Sequence, residues 1–428
     1  MTDTTSTSTS DASPHDDPRT VAARQRLDRL DGYLRNDPRN NAMLIDAFET
    51  ALACGEWERA EFHLRHAQSL QADGLAWRLR EGDFWLAQQR YDDAQSVLES
   101  LAGTPNPPPG FADVVLHNLA FIDMRRGQPG VCVDRLAPRL EGSAHAAADA
   151  AQPTPIAERA LQQVWLRALH HDGQFDRAIG WTLENERQGR LDPQAAGVAG
   201  LIAIDAADFA AAQRWSGLSL SNGDASDQPV ETFVTQASLA LAARNAERAR
   251  QLAEVALQRN PGDGRAWSTW GFAALLGGDL NAATDAFHRA LAVMGQHIGT
   301  WHGLGWAQIL QGKLPGARAT FETALDLDRN FAESHGGLAV VLAMESEREK
   351  AQEHAELALR LDRANVSGRY AQALLSGEVK DAKDLQRLAR RLLGGRTSPL
   401  GGDMGEMFPE PEAGSDGAPS SAAPNDGH

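Results

Sequence analysis

From Pro18 onward, apolar side chains recur three and four residues apart, and the runs are cut by short clusters of Gly, Pro, Asn and Asp. That spacing predicts amphipathic helices rather than strands. Val21, Leu27, Leu30 and Leu34 form the first such stripe, which stops at Asn36-Asp37-Pro38. Beyond it the pattern falls into pairs, each a helix, a tight turn and a second helix. Between residues 230 and 365 the pairs share one length. The block Gly264–His297 recurs 34 residues on as Ile298–Phe331, so that Trp267 answers to Trp301, Gly271 to Gly305, Ala283 to Ala317, Phe287 to Phe321 and Ala290 to Ala324. The same offset aligns Ala249, Ala256 and Pro261 behind this pair and Leu338, Ala351 and Ala358 ahead of it. Four units therefore run from Val230 to Asn365 without insertion. A helix pair of this size cannot bury its apolar face alone, so the period predicts stacking on neighbours.

Less regular pairs precede these four. One runs from about Asn41 to Gly74, with its turn at Gly55-Glu56 and packing residues Trp57, Ala60, Leu64 and Ala67. A second starts near Leu75 and uses Gly82, Tyr91, Ala94 and Leu98; the string Thr104 to Gly110, with four prolines, then bars any helix. A third, about 113–146, turns at Gly127-Gln128-Pro129, and pairs resume near Arg159 and Pro193. The expected organisation is a tail at 1–17, a helix and degenerate units at 18–146, a linker at 147–158, two units at 159–229, four regular units at 230–365, capping helices at 366–395 and an acidic tail at 396–428. Both tails carry too few apolar side chains to offset ordering entropy, and disorder is expected there. The outer face of the capping segment carries Lys380, Lys383, Arg387, Arg390 and Arg391, a polar surface suited to ending a stack and keeping the chain a monomer or weak oligomer. The rival is a structural solenoid that associates end to end.

The recurring places, with Trp301, Leu304, Gly305, Ala317, Phe321 and Ala324 filling nearly all of them, resemble the tetratricopeptide repeat family. The resemblance implies an all-α solenoid, a right-handed superhelix of about nine helix-turn-helix units, whose first helices line a concave groove that holds a protein or peptide partner. It also implies which side chains face that groove: those one, four and eight residues after each unit begins. Here they are Arg265, Ser268 and Phe272, then Gly299, His302 and Trp306, then Glu333, Gly336 and Val340. Trp267 and Trp301 sit at packing places, whereas Trp306 does not, which makes Trp306 and Phe272 candidate apolar anchors, with Arg265, His302 and Glu333 setting polarity. Gly303, Gly336 and Gly337 lie outside the small-residue places, and each costs a helix about 1 kcal/mol relative to alanine. Either a partner's backbone or a tight contact inside the solenoid would account for them. The expected function is that of a non-enzymatic scaffold or adaptor, of the kind that serves as an assembly factor or chaperone.

Composition narrows the remaining classes. The net charge of −17 argues against a general nucleic-acid binder, which needs a basic stripe. No apolar run reaches membrane-spanning length and the first residues lack a basic then apolar leader, so a cytoplasmic protein is expected, without membrane insertion. Cys54 and Cys132 read as buried free thiols, and the preference for arginine over lysine suggests a bacterial source. No phosphate loop, metalloprotease motif, paired-cysteine motif or nucleophile elbow occurs, so no cofactor and no enzyme activity are expected. The alternative is a metal-binding or enzymatic protein built on His297, His302 and His335. In the acidic tail, Met404, Met407 and Phe408 could form a short partner-binding motif or fold back over the chain's own groove.

Overall fold

The computed structural model describes residues 18–70, 74–142, 156–221, 227–379 and 382–394. The two tails, most of the 147–158 linker, the 222–226 loop and the Met404–Phe408 motif lie outside them. Among the described residues every regular element is a helix. The chain forms two compact units, 1–195 and 196–428.

The first unit holds α1 (Pro18–Asn36), α2 (Asn41–Cys54), α3 (Trp57–Leu70), α4 (Leu75–Ala87), α5 (Tyr91–Ala102), α6 (Phe111–Arg125), α7 (Pro129–Leu140), α8 (Ile156–His171) and α9 (Phe175–Arg187). The second holds α10 (Pro193–Asp205), whose first turn carries the boundary, then α11 (Phe209–Ser221), α12 (Val230–Ala242), α13 (Ala246–Arg259), α14 (Gly264–Leu276), α15 (Leu280–Val293), α16 (Ile298–Leu310), α17 (Leu314–Leu327), α18 (Ala332–Met344), α19 (Arg348–Leu361), α20 (Val366–Ser376) and α21 (Ala382–Leu393). From α2 to α19 these make nine helix pairs among the described residues. In α21 Leu388 is buried, while Arg387, Arg390 and Arg391 are exposed.

Local chemistry sets the boundaries. Asn40, Asn245, Asp263, Asp279 and Asn365 each cap a helix N-terminus by accepting a backbone N–H from three residues on. The turn inside a pair needs one residue in the left-handed region: Gly278 at φ +82° and Gly312 at +72° supply it freely, while Arg244 and Ser346 adopt it at the same place in their own repeats.

In the second unit, helix stacking is governed by a phenylalanine held between two glycines. Phe287 of α15 is fully buried, and a Cβ added to Gly271 of α14 or to Gly303 of α16 would lie 2.7 Å or 2.6 Å from its ring. One repeat later Phe321 of α17 sits in the same way, 2.7 Å from a Cβ at Gly305 and 2.3 Å from one at Gly337. Each ring thus fills the space between its own first helix and the next, at a distance only glycine allows. This identifies Gly303 and Gly337 as packing residues. Gly336 is one too, since its Cβ would meet Asn365 Oδ1 at 2.5 Å and Gly368 N at 2.9 Å. Trp267 and Trp301, expected in the core, are only half-buried; each indole N–H donates 2.8 Å to a carbonyl of the preceding connection, Pro261 or Gly295. Cys132 is buried, and its thiol is pushed up to about 12 mainly by burial, whereas Cys54 is half-buried at the end of α2.

Two glycine replacements should therefore have opposite signs. Gly337→Ala gains about 1 kcal/mol of helix propensity but overpacks a rigid ring, with an expected net loss of ~1–2 kcal/mol in urea unfolding. Gly180→Ala, at an exposed position of α9 with nothing within 4 Å of the new Cβ, should instead gain up to about 1 kcal/mol.

Candidate protein-binding face

The first helices α14, α16 and α18 lie side by side, each touching the next. The contact runs through their N-terminal halves as small polar pairs. Ser268 Oγ is 2.8 Å from Thr300 Oγ1, and His302 Nε2 is 2.8 Å from Ser334 Oγ, in both cases 32 residues apart. The third seam, between α18 and α20, has Glu333 accepting from Asn365 Nδ2 at 3.0 Å and from the Ser367 hydroxyl. Burial forces these partnerships, because a buried polar atom left alone costs about 1–3 kcal/mol.

Of the nine residues expected to face a groove, Gly299 is half-buried and the other eight are distributed unevenly. Ser268, His302, Gly336 and Val340 are buried, the first three in the seams and Val340 in the core around Phe321 and Leu338. Their side chains face the neighbouring repeat and not an open surface. Arg265 and Glu333 are half-buried and engaged: Arg265 is ion-paired with Asp205 and donates to His297 Nε2 at 2.6 Å. His297 Nδ1 lies 2.7 Å from Thr300 Oγ1 and 3.2 Å from the Thr300 backbone N, capping the N-terminus of α16. Phe272 and Trp306 remain half-exposed, with their inner edges against Phe287 at 5.0 Å and Phe321 at 6.3 Å between centroids.

An apolar surface does exist on these helices, one turn further on. Leu276, Leu310 and Met344, the last residues of α14, α16 and α18, are 39%, 60% and 43% exposed, again at 34-residue spacing. Leu276 lies four residues after Phe272 and Leu310 four after Trp306, so each pair shares a helix face. The first helices are thus joined at their N-terminal halves and leave an apolar row at their C-terminal ends. Sequence reasoning missed Leu276, Leu310 and Met344, although the constant offset was there to find. A leucine at a helix end reads equally well as core.

The histidines of the metal-site alternative are not brought together. His297 is bound to Arg265 and Thr300, and His302 to Ser334. His335 Nε2–H donates to Arg329 O at 2.9 Å, leaving His335 Nδ1 to accept from His354 Nδ1 at 3.0 Å. Among the described residues no three His, Cys, Asp or Glu side chains converge as metal ligands, and no helix is long and apolar enough to cross a membrane. Burial lowers the imidazoles of His63, His297, His302 and His354, that of His302 to about 4.

No family model matches the chain, and no curated protein does. Several solved structures are similar to part of it. TTC0263, a thermophilic TPR protein of Thermus thermophilus, is 17% identical with a TM-score of 0.37, over 43% of this chain and 100% of that one. YrrB, described as a TPR protein with an unusual peptide-binding site, is 18% identical with a TM-score of 0.34, over 46% and 97%. A crystal structure of MamA is 19% identical with a TM-score of 0.32, over 38% and 94%.

Because His302 is kept neutral in the fold, the unfolded chain takes up a proton there first as pH falls. Its contribution is complete above pH ~6.5 and is lost progressively toward pH ~4, by about 3 kcal/mol at the acid end. Urea midpoints measured at neutral and acid pH should fall less in His302→Gln, which retains a polar partner for Ser334 and has no proton to gain.

Proposed function

We propose that the chain is a non-enzymatic protein-interaction scaffold whose second unit receives a helical segment of a partner along the C-terminal ends of α14, α16 and α18. The observation that carries this reading is the exposed apolar row Leu276, Leu310 and Met344, extended inward by the half-exposed rings of Phe272 and Trp306. Contiguous exposed apolar side chains with a polar surround are a mark of interaction sites. Packed helices lie about 8–10 Å apart, and apolar residues seven apart on a helix are separated by ~10 Å. An amphipathic helix laid across the row would thus place one apolar side chain against each repeat, the helix-in-groove mode of recognition. Trp306 supplies the largest contact area at least entropic cost.

The test uses a displayed library of amphipathic helical peptides selected against the intact chain. Binding by a selected peptide should weaken by about 2 kcal/mol or more in Trp306→Ala and in Leu310→Asp. Stability of the Leu310→Asp protein should stay within about 0.5 kcal/mol of the parent, since that side chain is exposed. Binders indifferent to both replacements, or a library yielding none, would sink the reading.

A further inference from the structure

Away from the first-helix row, two clefts open between successive second helices, and both occupy the same register of the repeat. One, of about 510 Å³, lies between α13 and α15 over Trp267 and Trp270 of α14. The other, of about 480 Å³, lies between α1 and α3. Their linings correspond at a constant separation of 223 residues, as 254 − 31, 267 − 44 and 289 − 66 show. The isolated helix α1 therefore stands to α2 and α3 as α13 stands to α14 and α15.

The N-terminal cleft shows what this register can hold. Asp31 on one wall is met by a guanidinium from the other: Arg59 Nη2 lies 2.5 Å from Asp31 Oδ2 and 3.0 Å from Asp28 Oδ1. In the tryptophan cleft the counterpart of Asp31 is Glu254, but the counterpart of Arg59 is Ala282. The carboxylate is kept and its arginine is missing. Asp285 adds a second carboxylate from the α15 wall, and both acids are exposed at the rim. Among the described residues neither is in an ion pair; the one contact of Glu254 is from Trp270 Nε1 at 3.5 Å. Arg289 also lines the cleft, but its guanidinium lies over Trp267, 4.5 Å from the ring centroid, and forms no ion pair with either acid among the described residues. Trp270 itself exceeds what packing needs, since Leu304 and Leu338 fill its place in the next two repeats and are buried there.

We propose that the cleft between α13 and α15 receives an arginine side chain of a protein partner, whose guanidinium takes the position that Arg59 holds in the N-terminal cleft. Two carboxylates from opposite walls complement its charge, and the indole of Trp270 provides an aromatic surface for the guanidinium and its aliphatic stem. This site is separate from the apolar row and stands or falls independently of it.

The indole N–H resonance of Trp270, identified as the one lost in Trp270→Leu, reports occupancy in the full-length protein. Acetyl-Gly-Arg-Gly-amide should shift it saturably, and the same peptide with citrulline should bind about tenfold more weakly or worse, since charge and cation–π attraction are lost together. Glu254→Gln with Asp285→Asn should weaken the arginine peptide about tenfold without changing the melting curve, because both side chains are exposed. Ala282→Arg should abolish the response by supplying the guanidinium from within the chain. An arginine peptide that gives no saturable shift, a citrulline peptide that does as well, or a response unchanged by the double replacement would each overturn the proposal.

Discussion

The two central regular repeats of the second unit depend on one steric condition: a phenylalanine on the second helix, α15 or α17, must fit between glycines on two successive first helices. Phe287 meets Gly271 and Gly303, and Phe321 meets Gly305 and Gly337, with no room for a single additional carbon. Helices brought this close exclude water from their seams. Each polar group on the seam must then find a partner in the neighbouring repeat, as Ser268, His302 and Glu333 do. The glycines that weaken individual helices are thus the ones that let the stack close.

Close packing at one end of the first helices shapes the surface at the other. The N-terminal halves are committed to the seams, whereas the last residue of each first helix points away from the core that buries Ile309, Val341 and Leu342 just before it. Leu276, Leu310 and Met344 are exposed for this reason, in a row with the period of the repeat. A periodic architecture repeats its surface features as faithfully as its core. Such a row suits a ligand that is itself periodic, and helices are the commonest such ligand.

The same periodicity makes departures from it informative. The chain fills this register of the repeat differently: with Asp31, Arg59 and His63 at the N-terminal end, with the stacked imidazoles of His335 on α18 and His354 on α19, and with two indoles between α13 and α15. In the first two, groups from facing walls satisfy each other. In the third, they do not.

The sequence alone determined the helical class, the pairing of helices, the 34-residue period and most helix ends. These depend on spacing, caps and turn residues that act within a few positions of one another, and Asp263, Asp279 and Gly278 carry that information locally. It also restricted Gly303, Gly336 and Gly337 to two explanations. Only the tertiary structure chose between them, because the deciding atoms belong to Phe287, Phe321 and Asn365, 16 to 29 residues away. The candidate face was legible in part. The helices that carry the proposed face and two of its rings, Phe272 and Trp306, were legible, but Ser268, His302, Gly336 and Val340 proved to be enclosed and Leu276, Leu310 and Met344 were overlooked. Position within a repeat fixes which side of a helix a residue lies on. How far along that side the next helix reaches is set by packing between repeats, and that decides which residues meet solvent.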